Sequence, residues 1–146
     1  MNIRLYTAAD RDEWERMRSA LWPEQDATEL GVWLARGDAV VLVADAGGGR
    51  LSGFAEVGER STADGCDTSP VAYLEGWWVD ADCRRQGIGA ALAAAAEEWA
   101  RARGHREFAS DTTLDNMISQ AAHRRLGFTE VERAVLYRKV LTPDTG

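Results

Sequence analysis

Cysteine is nearly absent from the chain: Cys66 and Cys83 are the only two, and they form no CxxC pair and no metal-ligand spacing. Both read as free thiols. With His105 and His123 far from them in sequence, no metal site is expected. Long apolar runs are also missing. The longest clean stretch, Ala39 to Ala46, is already broken by Asp45, so no membrane span and no membrane partner are expected. The start, MNIRLYTAADRDEWE, lacks a basic segment leading into an apolar one, which argues against a secretory signal and for a cytoplasmic protein. Positive charge is in deficit. The 24 acidic residues exceed the 17 basic ones, a net charge of −7 that argues against nucleic acid as a partner. Such a surface suits a cationic substrate without identifying one. Neither G-x-G-x-x-G nor G-K-[ST] occurs, which removes the Rossmann and Walker A readings. Repeats and linkers are lacking too, so residues 1–146 are expected to form one soluble globular domain. At that length about two-thirds of the unfolded surface can be buried without disulfide or metal.

What is present alternates between strand and helix. Ile3, Leu5 and Thr7 read as a first strand, and Thr7-x-x-Asp10 resembles a capping box with Asp in place of Glu. Trp14, Met17, Arg18 and Leu21 then follow helical spacing up to Pro23, and Asp26 to Arg36 makes a second helix before Gly37. Ala39 to Asp45 is a continuous apolar strand, turned by Gly47-Gly48-Gly49 into Leu51 to Val57 as an antiparallel hairpin. The polar stretch Ser61 to Ser69 is a loop, and Val71 to Val79 a strand after Pro70. Ile88 to Arg103 is a long Ala-rich helix stopped by Gly104, and Phe108 to Thr112 a short strand. Asn116 to Leu126 is a helix with Gly127 at the left-handed cap position. Strands are expected at Thr129–Glu132 and Val135–Val140, then a tail from Thr142 to Gly146. The order implies an α/β fold with a mixed central sheet flanked by helices.

The segment with the most chemistry in it runs Val79-Asp80-Ala81-Asp82-Cys83-Arg84-Arg85-Gln86-Gly87-Ile88-Gly89-Ala90. A strand enters a turn with two glycines and a helix follows at once. Several unpaired N–H groups then point at one place, where the helix dipole adds partial positive charge. Glycine lets the backbone approach an anion, and Arg84 and Arg85 add charge, so a pyrophosphate is the expected guest. A glycine turn of this kind is by itself a weak signal, because ordinary turns use glycine as well.

The spelling Arg84-x-x-Gly87-x-Gly89 resembles the Arg/Gln-x-x-Gly-x-Gly/Ala signature of the GNAT acetyltransferases, and the element order fits that fold over nearly the whole chain. The resemblance implies acetyl-CoA as cosubstrate. Its pyrophosphate would lie on Arg84, Arg85, Gln86, Gly87, Ile88, Gly89 and Ala90, and its pantetheine on the backbone of Trp77, Trp78 and Val79. Three further segments sharpen it: Tyr73-Leu74-Glu75-Gly76-Trp77; Ser110-Asp111-Thr112…Asn116…Ser119…His123…Leu126-Gly127-Phe128; and Glu132-Arg133…Tyr137-Arg138-Lys139. Together they resemble one branch of aminoglycoside 6′-N-acetyltransferases, enzymes of antibiotic resistance. That resemblance implies that Trp22, Glu75, Asp111 and Glu132 contact the antibiotic and Asn116 contacts acetyl-CoA. It also implies a homodimer in which C-terminal elements exchange or pair, so that Glu132 would serve the partner's site.

The chemistry points the same way. A substrate with several ammonium groups needs separated carboxylates and an aromatic face. Glu75 and Asp111 fall near the ends of strands expected to be neighbours, where α/β ligands gather. Each has a plainer reading as a solvated charge or a cap, Asp111 for the helix near Asn116, while Trp22 and Trp33 can be core. Attack of a neutral amine on a thioester needs a proton acceptor, a donor to the carbonyl oxygen and a proton for the thiolate. Glu75 is expected to accept the amine proton, Asp111 to hold the cation and Val79 N–H to bind the carbonyl oxygen. Tyr137 is the candidate donor by resemblance, with a packed strand tyrosine as the alternative. Cys83 has no visible base beside it, so direct transfer is expected rather than a cysteine intermediate. His123 reads as a helix-face residue. Two other readings stay open: a GNAT enzyme acting on a polyamine or a peptide amine, and a non-catalytic acyl-CoA-binding domain.

Overall fold

The computed structural model describes residues 2–142. Strands β1 (Asn2–Leu5), β2 (Ala39–Gly47), β3 (Arg50–Arg60), β4 (Val71–Val79) and β5 (Phe108–Ser110) form one sheet in that spatial order. Neighbours from β1 to β4 are antiparallel and β5 runs parallel to β4, so the sheet is mixed as expected. Among the described residues four α-helices accompany it: α1 (Arg11–Leu21), α2 (Thr28–Ala35), α3 (Ile88–Ala102) and α4 (Met117–Arg125). None is long and apolar enough to cross a membrane.

The continuous apolar run of β2 has a direct cause: both faces of the sheet are covered. Val41 and Val43 pack with Trp14, Met17, Leu30, Trp33 and Phe54 beneath α1 and α2. The alternate residues Leu42 and Ala44 pack with Val57, Leu74, Ile88, Leu92 and Ala96 beneath α3. Trp33 is thus a core residue, its indole N–H donating to Val40 O at 3.3 Å.

Helix α1 is anchored at both ends. At its entry Thr7 N–H donates to Asp10 Oδ2 at 2.8 Å, and the Arg4 fork holds both Asp10 oxygens at 2.7 and 2.9 Å. Arg4 thereby draws the Asp10 carboxyl down to about 2. At the other end Arg18 is buried against Glu56 of β3, with Nε–Oε1 at 2.5 Å and Nη2–Oε2 at 3.2 Å. Trp14 Nε1 donates to the same Oε1 at 3.1 Å. Burial pushes the Glu56 carboxyl upward, and Arg18 opposes it. Removing Arg18 would leave the buried Glu56 carboxylate without its counter-charge, so this pair ties the last turn of α1 to the sheet.

Asn116 caps α4, its Oδ1 accepting from Ser119 N–H at 3.0 Å, so Asp111 is not that helix's cap. Gly127 adopts φ 91° just past the end, as the left-handed cap requires.

The C-terminal part departs from expectation. Residues 128–142 carry no regular secondary structure, so the strands expected at Thr129–Glu132 and Val135–Val140 are not formed. Strand β5 is also shorter than expected, ending at Ser110 rather than Thr112. A strand needs a paired neighbour, and among the described residues β5 is the outer strand of the sheet. Val131, Val135, Leu136, Tyr137, Val140 and Leu141 stand exposed instead. Of the expected tail, residues 143–146 lie outside the described residues.

Candidate active site

The site begins where two strands part. Strand β5 pairs with β4 only from Ala72 to Leu74, while β4 continues to Val79. Beyond Leu74 the edge of β4 has lost its β5 partner. Asp80 N–H donates to Ser52 O on the β3 side at 2.8 Å. Successive residues of a strand face opposite ways, so the N–H and C=O of Val79 turn toward the open edge. An amide-bearing chain laid there can hydrogen-bond as a strand would.

The open edge leads into the glycine turn. Arg84 Nε reaches back to Val79 O at 3.1 Å, and its guanidinium stacks on Trp78 at 5.1 Å. Arg85 and Gly87 both take left-handed backbone, at φ 64° and 79°. Gly87 is the N-cap of α3 and has no side chain to satisfy the first turn. The first helical bond of α3 is Ala91 N–H to Gly87 O, so the N–H groups of Ile88, Gly89 and Ala90 precede it. Trp77 braces this turn from below, donating from Nε1 to Gly89 O at 2.9 Å. Arg84 to Gly87 are exposed. Exposed guanidinium groups beside free amides at a helix N-terminus are the donor set a diphosphate needs, so the turn fits the expected group.

At the β3–β4 bulge, where Glu56 pairs with Gly76 and Val57 with Leu74 so that Glu75 is the extra residue, lies a cluster of charges. Glu75 is held by the Arg60 fork, Nε–Oε1 at 2.6 Å and Nη2–Oε2 at 2.7 Å. The same guanidinium lies 3.5 Å from the centre of the Tyr73 ring. Tyr73 OH donates to Asp111 Oδ2 at 2.5 Å, and Arg60 Nη2 stands 3.9 Å from that oxygen. Burial and the Asp111 contact keep the Tyr73 phenol protonated, well above its ordinary range. Glu75 and Asp111 therefore flank one cation just past the point where β5 leaves β4.

Trp22 sits beside this cluster. It is half-buried at the end of α1, stacked under the Arg18 guanidinium at 4.7 Å. A Cβ on Gly76 would lie 2.6 Å from its Cη2, so Gly76 is what lets the indole rest on β4 next to Glu75. Trp22 lines a shallow recess at the surface with Arg18, Glu24, Gln25 and Glu29. Farther out, a cleft of about 380 Å3 opens between β5, α4 and the segment that follows, lined in part by Asp111, His123, Glu132 and Arg133. Glu132 and Asp111 share this cleft within one chain.

Two residues stand apart. Asn116 spends its Oδ1 on the α4 cap. Tyr137 is 92% exposed in the segment without regular structure, and within one chain its side chain makes no hydrogen bond to the cluster among the described residues. Cys83 offers no nucleophile: partial burial and Asp82 push its thiol upward, away from the thiolate form. Among the described residues no group of three or more His, Cys, Asp or Glu side chains could hold a metal ion.

Two side chains at the site were not anticipated. Arg60 occupies the centre of the carboxylate cluster, although an arginine before a polar loop reads as a solvated charge. His123 faces inward: its Nδ1 meets Ser119 O at 2.7 Å and its Nε2 meets Ser110 Oγ at 2.8 Å. A carbonyl at Nδ1 assigns the proton there and leaves Nε2 to accept from Ser110. The signal was available in the i,i+4 spacing of Ser119 and His123 on one helix face.

Residues 7–128 match the Acetyltransferase (GNAT) family. An aminoglycoside N(6′)-acetyltransferase type 1 of Klebsiella aerogenes is 44% identical over 146 residues, covering 95% of this chain and 96% of its own. A protein of the same name from Stenotrophomonas maltophilia is 42% identical over 145 residues, covering 97% and 95%. Among solved structures, AAC(6′)-Iy in complex with the bisubstrate analogue CoA-S-monomethyl-acetylneamine superposes with a TM-score of 0.87 at 37% identity, covering 96% of this chain and 98% of its own. Strand parting, glycine turn and sequence agree, and the chain belongs to the GNAT acetyltransferase family.

Proposed function

We propose that this protein transfers the acetyl group of acetyl-CoA to the 6′-amine of aminoglycoside antibiotics, by direct attack of the amine on the thioester. The observation that carries this reading is the pair Glu75 and Asp111 flanking a cation beside the open edge of β4. That arrangement sets a polycation's binding groups next to the place where a thioester can lie.

In this reading the glycine turn, Arg84 to Ala90, binds the diphosphate of acetyl-CoA, and the open edge from Trp77 to Val79 pairs with pantetheine. Val79 N–H donates to the thioester oxygen. Glu75 removes the proton that the amine loses, directly or through water. The amine nitrogen bonds to the carbonyl carbon, the C–S bond breaks and the sulfur takes up a proton. Asp111 and Glu132 hold further ammonium groups, and Trp22 supplies an apolar wall for a sugar ring. Asn116 would contact acetyl-CoA, as the resemblance implies, through the part of its amide left free by the cap.

The assembly is a homodimer. The exposed apolar segment from Val135 to Val140 and the unpaired outer edge of β5 are complementary, and one copy's segment can complete the other's sheet. Such pairing gives Tyr137 a route to a neighbour's cleft as proton donor to the thiolate. A reaction fed by acetyl-CoA belongs in the cytoplasm.

Thiol release from acetyl-CoA tests the substrate class, with kanamycin, a 6′-hydroxyl relative, spermidine and a lysine peptide as acceptors. Rapid release with kanamycin and none with the 6′-hydroxyl relative is expected. Release with spermidine or the peptide alone would overturn the antibiotic assignment.

A further inference from the structure

The carboxylates read above as the substrate's cation site already hold a cation. Arg60 is the last residue of β3, opposite Val71, yet its side chain runs along the sheet to Glu75 and engages both carboxylate oxygens. Its plane lies on the Tyr73 ring, and its far nitrogen approaches the oxygen of Asp111 that Tyr73 also binds. Three side chains, Glu75, Tyr73 and Asp111, are thus arranged around one guanidinium, which sits where an ammonium of the acceptor would have to go. The guanidinium is not locked in, since the Arg60 side chain is 44% exposed whereas that of Glu75 is 21% exposed. The mouth of the site is therefore closed by the more solvent-accessible partner. Without that cation Glu75 and Asp111 would face each other as two like charges, one of them largely withdrawn from water.

We infer that Arg60 is a resident placeholder cation, which the acceptor's own ammonium displaces from Glu75 and Asp111, and which thereby makes the site select polyamines over monoamines. The inference rests on the acetyl transfer read above. Displacement is an exchange of cation for cation, so neither carboxylate is left bare. The acceptor must both displace the guanidinium and present an amine to the thioester. A monoamine cannot do both jobs. Its single nitrogen must be neutral to attack the thioester, so it has no second charge with which to displace Arg60. An acceptor carrying two or more amines displaces the guanidinium with one and reacts with another. The cost of opening falls on every acceptor as a reduced apparent affinity.

The test is Arg60→Gln and Arg60→Lys, assayed by thiol release with kanamycin and with a monoaminated sugar acceptor. Arg101→Gln, at the far end of α3, serves as a control for the loss of one positive charge. Arg60→Gln should lower the KM for kanamycin about fivefold, the scale of a partly exposed ion pair. The KM for the monoamine should fall further, and the KM for acetyl-CoA should stay the same. Arg60→Lys should lie between Arg60→Gln and the parent, and Arg101→Gln should match the parent. An unchanged or raised KM for kanamycin in Arg60→Gln would make Arg60 a brace for Glu75 and overturn the inference. So would an equal fall in Arg101→Gln. If Arg60→Gln does not fold, the Arg60 Nε–H resonance of the parent decides, assigned by its absence from Arg60→Lys. In the presence of CoA, kanamycin should abolish its protection from exchange, and continued protection would overturn the proposal. Failure of the parent to acetylate any aminoglycoside is a different result, and it removes the functional reading itself.

Discussion

At the scale of single residues, the site divides into groups with one task and groups with two. Glu75 has two, since it binds a cation and is read as the acceptor of the amine proton. Glu75→Gln keeps the shape and removes the charge. We expect kcat to fall about a hundredfold or more, with a smaller change in KM. An unaltered kcat/KM across the pH range would take the base role away from Glu75. Asp111 and Tyr73 were each visible in the sequence as a carboxylate and a strand tyrosine, but their mutual contact was not. That contact depends on β5 lying beside β4, which no local pattern of residues 108–112 encodes. Arg60 was invisible for a simpler reason: nothing in Glu59-Arg60-Ser61 distinguishes a guanidinium paired with a carboxylate from a solvated one.

At the scale of elements, the boundaries that were legible are those with a local physical cause. Helix α3 begins at Gly87 because its φ of 79° cannot continue a helix backwards, and ends at Ala102 ahead of Gly104. Gly87→Ala forces a side chain into left-handed backbone at a cost of about 1 kcal/mol. Expected with it is a severalfold rise in KM for acetyl-CoA while the KM for the acceptor holds, measured by varying each substrate in turn. The entry to α1 carries a pH dependence. Asp10 has its carboxyl lowered from 3.8 to about 2 by Arg4, so its contribution to stability is present above pH 3.8 and is lost as pH falls to about 2. Asp10→Asn should therefore lower the Tm at neutral pH, by roughly 1 kcal/mol of stability. The gap between the two proteins should close below about pH 2. A gap that persisted there would show that the carboxylate charge is not what anchors the helix. The two C-terminal strands illustrate the opposite case. Their apolar content was readable, but pairing is a property of two strands, and the second is not supplied by the chain's own sheet.

At the scale of the whole molecule, those exposed residues are the strongest sign of assembly. Leu136 is 91% exposed in one chain, so on a monomer Leu136→Asp would alter stability by less than about 0.5 kcal/mol. If this segment joins two copies, the same change should convert a dimer into a monomer in sedimentation experiments, and equal sedimentation of both proteins would reject that interface. The parting of β4 and β5 has a consequence for how such an enzyme can diversify. In the function proposed above, the coenzyme contacts are offered largely by backbone, from Val79 to Ala90, which most codon changes leave in place. The proposed acceptor contacts are side chains rooted on four separate pieces of chain: Trp22, Glu75, Asp111 and Glu132. On that reading acceptor preference can drift one codon at a time while acetyl-CoA continues to bind, so the range of acceptors is the part of this protein most open to selection.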